Sequence, residues 1–205
     1  MTITLPVGSY ATNAYIYFNE GSRAGVIIDP AADAAVILAK VKEHGLNIRG
    51  ILLTHGHFDH IGAVDEVRHA LGVPVYATRH DANLANDAAL NGTGFFGMRS
   101  INVTVDNFIT SGPLDLEGLE IQALATPGHT LGSLCFYVPA EDVLFSGDTL
   151  FKQSYGRYDL PTGDYTALTA SLDMLLAMPA QTVVYPGHGP ATTIGYEQTN
   201  NMIRK

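Results

Sequence analysis

The sequence predicts an α+β fold with two mixed halves, in which two β-sheets pack face to face and helices cover the outside. Strand patterns open the chain, alternating helix and strand patterns follow, and the second half repeats this order. Apolar residues make up 46% of the 205 residues and charged residues 15%, which is typical of a globular chain with a sizeable core. No linker-like segment or short repeat interrupts the order, so residues 1–205 are expected to form a single domain.

In the first half, short runs of apolar, β-branched and aromatic residues alternate with amphipathic stretches. The predicted strands are 2–5, 14–18, 25–28, 50–53 and 73–76. The predicted helices are 31–44, 61–71 and 78–90, the first closed by Gly45 and the second by Gly72.

Residues 91–109 lack a steady period and contain several glycines and large apolar residues, among them Phe95, Phe96, Met98 and Phe108. Exposed aromatic residues are costly unless they cover something, which favours a flap over a binding site. An ordinary packed surface loop accounts for the same residues, so both interpretations stay open.

The second half is again rich in strand patterns. The predicted strands are 114–116, 119–124, 133–138, 142–146 and 183–185, with a hairpin turn at Glu117-Gly118. Asp164 is placed to cap a helix that runs through Met178 and is ended by Pro179. Thr192 is expected to cap a last helix.

The segment Thr54-His55-Gly56-His57-Phe58-Asp59-His60 lies at the junction of a predicted strand and a predicted helix. Neutral imidazole and carboxylate form the ligand set of zinc and similar divalent ions. Residues two positions apart on an extended chain point to the same side, so His55 and His57 can bind one ion together. Asp59 and His60 follow the turn of the chain and are expected to point elsewhere. The segment therefore predicts two metal ions, and the alternative is a set of hydrogen-bonded loop histidines.

Three later segments share one form, in which a strand is followed by a sharp, glycine-containing turn with a ligand-type side chain. They are Thr126-Pro127-Gly128-His129-Thr130, Ser146-Gly147-Asp148-Thr149 and Pro186-Gly187-His188-Gly189. Glycine allows backbone conformations that other residues resist, and it leaves room for an ion beside the chain. Of the eight histidines, His44, His69 and His80 lie in helix-like stretches and are expected to be surface or capping residues.

The composition excludes several classes of partner. A formal net charge of −9 and eleven scattered basic residues disfavour duplex nucleic acid, which needs clustered Lys and Arg. No apolar run approaches the roughly 18 residues of a membrane span, and residues 1–18 do not resemble a signal peptide. Cys135 is the only cysteine, which excludes a disulfide framework and a thiolate zinc site. We therefore expect a cytoplasmic protein that acts on a small molecule.

The motifs T-H-x-H-x-D-H, P-G-H-T, G-D-T-L and G-H-G occur in this order, and with them the chain resembles the metallo-β-lactamase superfamily. It is most similar to the hydroxyacylglutathione hydrolase (glyoxalase II)-like members. The resemblance also includes Thr12-Asn13-Ala14-Tyr15, Ile28-Asp29-Pro30, Gly156-Arg157-Tyr158-Asp159-Leu160-Pro161 and Pro186-Gly187-His188-Gly189-Pro190. It implies a four-layer αββα sandwich, the metallo-β-lactamase fold.

Carried over residue by residue, the resemblance implies two divalent metal ions, zinc first, with iron or manganese as alternatives. The implied ligands of the first ion are His55, His57 and His129. The implied ligands of the second are Asp59, His60 and His188, and Asp148 would bridge both. With a bridging hydroxide, Asp59 and Asp148 leave the site about one positive charge, and both are expected to be catalytic. Asp29 is expected either to accept a hydrogen bond from a ligand imidazole or to cap the following helix.

The implied reaction is hydrolysis of a small thioester by the metal-bridging hydroxide. A thiolate leaves readily because an ordinary thiol has a pKa of ~8.5, so a thioester needs little acid assistance. The alternatives are a lactonase or other ester hydrolase of this fold, and an iron-containing persulfide dioxygenase. Metallo-β-lactamases lack the bridging aspartate, so Asp148 disfavours that activity. Flavodiiron-type proteins carry Glu in place of His57, and RNase Z-like nucleases carry a basic tRNA-binding arm, which disfavours both of these activities.

The substrate is less well defined than the metal site. Full-length glyoxalase II has a further C-terminal helical region whose basic residues hold glutathione, whereas only Arg204 and Lys205 are basic after His188 here. The chain resembles the short form of the family, so glutathione specificity is not assumed. The candidates for substrate contact, with surface ion pairs or packing as alternative roles, are Lys152, Tyr155, Arg157 and Tyr158.

Overall fold

Runs of buried apolar residues build two six-stranded β-sheets in a computed structural model that describes residues 1–94 and 100–204. The chain divides into two compact units. Unit 1 comprises Met1–Ile109 and Asp115–Leu119, and unit 2 comprises Thr110–Leu114 and Glu120–Lys205. Each unit contains one of the sheets and its own hydrophobic core.

The sheet of unit 1 is mixed. Its strands, in spatial order, are β1 (Thr2–Val7), β2 (Thr12–Phe18), β3 (Ala24–Ile28), β4 (Asn47–Leu52), β5 (Val75–Ala77) and β6 (Asn107–Phe108). The first three strands pair antiparallel, and β3 to β6 pair parallel. Every residue of β2 and β3 is buried, which explains why residues 14–18 and 24–28 form continuous runs without alternating polar residues.

The helices of unit 1 differ in detail from the predicted ones. They are α1 (Ala34–Glu43), α2 (Phe58–Ile61), α3 (Val64–Leu71) and α4 (Arg79–Ala85). The first begins three residues later than predicted, because Asp33 takes a left-handed conformation with φ 52°. The single helix predicted at 61–71 is broken, because the Ala63 N–H donates to the Pro30 carbonyl. The helix predicted at 78–90 is α4 and ends at Ala85. Beyond its end, the Asp87 carboxylate accepts a hydrogen bond from the Ala89 N–H, which competes with helical hydrogen bonding.

The core of unit 1 lies between its sheet and its helices. It includes Ile16, Phe18, Ile27, Ile37, Ile51, Val64, Val67 and Val75. Burying an aliphatic or aromatic side chain stabilises the fold by about 1.5–3 kcal/mol, so this cluster anchors the strands whose ends carry the candidate ligands.

The irregular segment predicted as a flap or a packed loop is described at both of its flanks. The buried Asn91 donates to the carbonyls of Ala85 and Ile101, and Val103 and Val105 are buried in the core. Phe95, Phe96, Met98 and Arg99 lie outside the described residues, so a flap over the site stays a prediction.

Unit 2 has the second mixed sheet and a two-stranded ribbon. Its strands are β7 (Gly112–Asp115), β8 (Glu120–Ala125), β9 (Leu134–Val138), β10 (Val143–Gly147), β11 (Leu150–Phe151), β12 (Ser154–Tyr155), β13 (Val183–Pro186) and β14 (Thr192–Thr193). The sheet order is β14-β13-β10-β9-β8-β7, and β10 and β13 pair parallel. The ribbon β11–β12, which was not predicted, directly follows the Gly147-Asp148 turn.

Two helices complete unit 2, α5 (Tyr165–Leu176) and α6 (Ile194–Asn200). Asp164 caps α5 as predicted, because its carboxylate accepts the Ala167 N–H at 2.6 Å. The prediction that Thr192 caps α6 is wrong by one residue. The hydroxyl of Thr193 accepts the Tyr196 N–H, whereas Thr192 lies in β14. Leucines from α5 pack with Leu144, Val184 and Ile194 in the core of this unit.

Glu197 of α6 is a fully buried carboxylate that ties the last helix to the ribbon. It accepts hydrogen bonds from the Thr192 hydroxyl, the Gln153 backbone N–H and the Asn201 amide at 2.6–2.9 Å. Asn201 also donates to the carbonyls of Phe151 and Ser154. The ribbon that follows Asp148 is therefore held in place by α6.

In the part of the chain that the structure describes, no helix combines the length and the apolar character needed to cross a bilayer.

Glu197→Gln should lower the free energy of unfolding by about 1–3 kcal/mol, because an amide NH₂ group would face donors inside the protein. Urea denaturation followed by circular dichroism measures the change. Glu120→Gln, on an exposed position of β8, is the matched control and should stay within about 0.5 kcal/mol of the parent. Equal losses in the two variants would contradict the role given to Glu197.

Candidate metal centre

In unit 1, parallel pairing brings two polar strand ends to the same sheet edge. Ile28 at the end of β3 is in register with Leu52 of β4, and the Asp29 N–H donates to the Leu52 carbonyl at 3.1 Å. The residues that follow, Asp29 on one strand and Thr54 on the other, are therefore neighbours, although they are far apart in sequence.

The Asp29 carboxylate organises this edge and is 1% exposed. One oxygen accepts the Thr54 N–H at 2.8 Å, and the other accepts the Thr54 hydroxyl at 2.5 Å and His60 Nδ1–H at 2.8 Å. Of the two roles predicted for Asp29, the hydrogen bond to a candidate ligand is the one present. The residue before α1 is Asp33, so Asp29 does not cap that helix.

These bonds select the tautomers of two histidines. A carboxylate only accepts, so His60 must carry its proton on Nδ1. The single hydroxyl proton of Thr54 goes to Asp29, so its oxygen accepts from His55 Nδ1, 3.0 Å away. Both imidazoles therefore present Nε2 as the atom with a lone pair, which is the state a metal ligand needs.

The segment contains the two predicted pairs of ligand-type side chains, since ligand atoms lie within 4.8 Å of each other in His55 and His57 and again in Asp59 and His60. The ring centroid of His55 is 4.9 Å from that of His57 and 4.1 Å from that of His60. Their exposed fractions are 1%, 4% and 0%, respectively, and Asp59 is half-buried. The two pairs are therefore adjacent, and the His60 ring is closer to His55 than the His57 ring is.

Gly56 lies between the first two histidines because α4 passes directly behind it. A Cβ atom at this position would clash with the Asp81 carbonyl and the Ala85 nitrogen. The Gly56 N–H donates to the buried Asp81 carboxylate at 2.8 Å. Sequence reasoning missed both Asp81 and Thr54 as supports of the ligands, since neither contact is encoded by local spacing.

In unit 2, parallel pairing again places ligand-type side chains at one sheet edge. Gly147 of β10 is in register with Pro186 of β13, and the Gly187 N–H donates to the Gly147 carbonyl at 2.8 Å. Asp148 and His188 follow these strand ends. His129 follows β8, which runs in the same direction as β10 because both are antiparallel to β9.

The three side chains converge on one carboxylate oxygen. Asp148 Oδ2 lies 3.7 Å from His129 Nε2 and 3.6 Å from His188 Nε2. These separations exceed a hydrogen bond. They resemble the roughly 3.4 Å between two ligand atoms that share one ion at ~2.1 Å in tetrahedral geometry.

The tautomer of His129 also indicates that a cation binds between these side chains. Its Nδ1 lies 2.7 Å from the Arg157 carbonyl, which only accepts, so the proton is on Nδ1. In the neutral imidazole, Nε2 then presents a lone pair towards the Asp148 carboxylate. Two acceptors facing each other in a mostly buried site call for a cation between them, either a second proton on the imidazole or a metal ion. The donor set therefore fits a divalent metal.

Gly128, next to this ligand, has the predicted backbone role, because its conformation is one that other residues resist, but the space beside it is filled differently from the prediction. Its φ is 137°, and a Cβ atom would overlap the backbone of Leu168 in α5. The glycine makes room for a helix rather than for an ion. The Asp164 N–H donates to the Gly128 carbonyl at 2.9 Å, which joins the start of α5 to the His129 turn.

The candidates for substrate contact differ in the partners of their side chains. Arg157 is bound by the Asp159 carboxylate through two hydrogen bonds of 2.7 and 2.8 Å, and these bonds lower the pKa of Asp159 to about 2. The guanidinium charge is thus neutralised within the chain, and the backbone carbonyl of Arg157 orients His129 instead. Lys152 lies over the Tyr196 ring, 5.5 Å from its centroid.

The two tyrosines among these candidates differ in exposure. Tyr155 is half-buried in the ribbon, and burial is the main cause that raises its pKa. Tyr158 is 42% exposed, with its ring 4.8 Å from that of Tyr165. Lys152, Arg157 and Tyr158 are therefore exposed to solvent, whereas Tyr155 is only partly accessible.

The remaining histidines and the cysteine lie apart from these clusters. His44 is the C-cap of α1, and His69 and His80 are exposed on helices, as predicted. Cys135 is fully buried, and burial raises the pKa of its thiol to about 12, which makes it unsuited to nucleophilic or metal chemistry.

A family model described as the metallo-beta-lactamase superfamily matches residues 7–188 of this chain. A probable metallo-hydrolase of Bacillus subtilis, YqgX, is 42% identical over 202 residues, which cover 96% of this chain and 94% of that protein. The hydroxyacylglutathione hydrolase GloC of Haemophilus influenzae is 32% identical over 201 residues, with coverage of 96% and 94%.

Two solved structures are similar over nearly their whole length. The BLEG-1 B3 metallo-β-lactamase superposes with a TM-score of 0.94 at 42% identity, and 98% of each chain is covered. TTHA1623 in a di-iron-bound form superposes with a TM-score of 0.87 at 39% identity, also with 98% of each chain covered. The predicted metallo-β-lactamase fold, mixed α+β with two β-sheets, is thereby confirmed.

Asp29→Asn should weaken divalent metal binding about 10- to 100-fold while the protein stays folded. An amide NH₂ in place of Oδ2 would face the Thr54 hydroxyl and His60 Nδ1–H, which drives His60 to the tautomer without a lone pair on Nε2. Competition with a chromophoric chelator measures the affinity for zinc and for iron. Asp115→Asn, an exposed control in the same unit, should bind like the parent. An affinity of Asp29→Asn within twofold of the parent would refute the positioning role.

Proposed function

This chain belongs to the metallo-β-lactamase superfamily, and we propose that it is a metal-dependent hydrolase that cleaves a small thioester at a dinuclear centre. The observation that carries the metal dependence is the meeting of His129 and His188 nitrogens with one Asp148 oxygen at 3.6–3.7 Å. The thioester is supported by the 32% identical relative, whose name states hydrolysis of hydroxyacylglutathione, a thioester of glutathione.

The proposed ligands are the residues of the four motifs. The ligands of the first ion are His55, His57 and His129. The ligands of the second ion are Asp59, His60 and His188, with Asp148 shared by the two ions. The order of these motifs along the chain and the family match over residues 7–188 support this division.

Divalent ions bound there would lower the pKa of a water from ~15.7 to about 7 and polarise the thioester carbonyl. The protein's own contribution is to hold the ligands in the correct protonation state. Asp29 and Thr54 fix His55 and His60 with their Nε2 lone pairs available, and the Arg157 carbonyl does the same for His129. Burial of these rings in a medium of low dielectric strengthens their binding of a cation.

The hydrolysis adds the oxygen of water to the acyl carbon and breaks the carbon–sulfur bond, so the products are a carboxylic acid and a thiol. The thiolate is stable enough to leave without a proton donor, since an ordinary thiol has a pKa of ~8.5. The metal motifs contain no further residue suited to act as a general acid. This favours hydrolysis of thioesters over hydrolysis of amides.

A second candidate function is β-lactam hydrolysis, because a structure at 42% identity carries the name of a B3 metallo-β-lactamase. The presence of Asp148 weighs against it, since a shared carboxylate is not part of the metallo-β-lactamase pattern. The metal is likewise proposed as zinc or iron, the second because a neighbour at 39% identity is in a di-iron-bound form.

A substrate panel with metal analysis tests the function. Thioesters of a neutral thiol and of glutathione, a lactone, a β-lactam and a thiol persulfide under oxygen should be compared by kcat/KM. We expect a thioester to be the best substrate, its turnover to be lost on chelation, and about two divalent ions per chain. Oxygen consumption with the persulfide in a protein holding only iron, or faster turnover of the β-lactam, would overturn the proposal.

Asp148→Ala should reduce thioester turnover at least about 100-fold and lower metal occupancy at both positions, because the shared carboxylate is removed. Elemental analysis and spectroscopy of a cobalt-substituted protein distinguish the two positions. Asp173→Asn, on the exposed face of α5, controls for the loss of a negative charge in the same unit. Loss of metal from one position alone would show that Asp148 does not bridge.

A further inference from the structure

Unit 1 contains a cavity of 310 Å³ beside the candidate ligand Asp59. Its walls come from the loop between β1 and β2, the residues before α1, and the helices α2 and α3. Pockets for small molecules span about 300–1,000 Å³, so the cavity suits a short chain of several carbons rather than a whole cofactor. Asp59 forms part of the wall, so the cavity adjoins one of the ligands proposed for the second ion.

The lining is largely apolar and partly aromatic. Four alanines, one valine and one isoleucine line it, and Phe58 and Tyr10 supply two rings. These rings meet edge to face, with centroids 5.1 Å apart. Phe58 is 7% exposed and forms a fixed wall, whereas Tyr10 is 44% exposed at the rim. Such a surface binds alkyl groups, and aromatic faces also attract cations.

The polar part of the lining is acidic. Asp33 and Glu66 contribute carboxylates in addition to Asp59, and none of the described lining residues is basic. The Asp33 carboxylate is held towards the β1–β2 loop, since one of its oxygens accepts the Gly8 N–H at 2.9 Å. Asp59 is assigned to the proposed metal centre, which leaves Asp33 and Glu66 as the other carboxylates of the cavity.

Charge complementarity decides which part of a thioester fits. The common thiol carriers, glutathione and coenzyme A, are anionic and would be repelled by Asp33 and Glu66. The acyl group, in contrast, can be short and apolar and can end in a positively charged group. The ions themselves would be positive, so a spacer of a few carbons is needed between the carbonyl and that charge.

We propose that this cavity receives the acyl group of the substrate and selects apolar acyl groups that end in a positive charge, such as a quaternary ammonium. The inference rests on the proposed thioester hydrolysis and names its substrate class. A cation gains a modest amount of binding energy from the aromatic rings and from each partly exposed carboxylate. Together these contacts predict that kcat/KM is about fivefold higher for a cationic acyl group than for an uncharged group of the same shape.

Three thioesters of one neutral thiol test the selectivity. Their acyl groups are a trimethylammonio-butanoyl group, its tert-butyl isostere of the same shape without charge, and a carboxylate-terminated chain of equal length. Released thiol is measured, and each kcat/KM is divided by the rate of hydroxide hydrolysis to remove intrinsic reactivity. We expect the ammonium ester to exceed its isostere by about fivefold, and the carboxylate ester to be the slowest.

The variant Asp33→Asn/Glu66→Gln removes both charges with little change of shape. Asn tolerates the left-handed conformation of residue 33 and keeps an oxygen for the Gly8 N–H. The ratio of the corrected kcat/KM of the ammonium thioester to that of the tert-butyl thioester should fall to within about twofold of unity. Asp65→Asn is the control, because Asp65 lies on the same helix outside the cavity and pairs with Arg68 at 3.6 Å. A ratio near unity in the parent, or a ratio unchanged in the double variant, would overturn the proposal.

A binding measurement separates this inference from the proposed reaction. Saturation-transfer NMR with butyltrimethylammonium and the metal-loaded protein should give a signal that weakens in Asp33→Asn/Glu66→Gln and persists in Asp65→Asn. If no thioester is hydrolysed but this pattern is found, the reaction is wrong and the cation-selective cavity stands. If the parent gives no signal, the cavity proposal fails even when thioesters are hydrolysed.

Discussion

Parallel pairing of adjacent strands is the constraint on which the candidate centre depends. Strands that run in the same direction end at the same sheet edge, so the residues that follow them become neighbours whatever their distance in sequence. In unit 1 this brings Asp29 beside Thr54, and in unit 2 it brings Asp148 beside His188. Each unit thus assembles its share of the ligands by the same rule, on strands fixed by a buried core.

Hydrogen bonds behind the ligands then decide their chemistry. Three histidines keep their proton on Nδ1 because each faces an acceptor. The acceptors are the Asp29 carboxylate, the Thr54 hydroxyl oxygen and the Arg157 carbonyl. The same lone pair, on Nε2, is thereby made available at three positions. In a buried setting this arrangement is favourable only when a cation is present, so the fold prepares the site for metal before any metal binds.

Substrate choice rests on other elements than metal binding. The guanidinium of Arg157, a predicted substrate contact, pairs with Asp159, and the Arg157 carbonyl accepts a hydrogen bond from His129. The cavity beside Asp59 is apolar with an acidic rim. The proposed preference for neutral or positive acyl groups follows from this charge distribution.

The sequence by itself determined the fold class and the candidate ligands, because strand periodicity and the spacing of His, Asp and Gly at strand ends are local properties. Helix limits were less accurate: Asp33 and Ala63 interrupt helices through a backbone conformation and a bond to Pro30 that no local pattern contains. Only the tertiary structure decided that Asp29 holds His60, that Gly56 and Gly128 make room for helices, and that Arg157 is neutralised. Each depends on contacts between segments that are distant in the chain or on bonds of the backbone, and spacing along the sequence does not encode them.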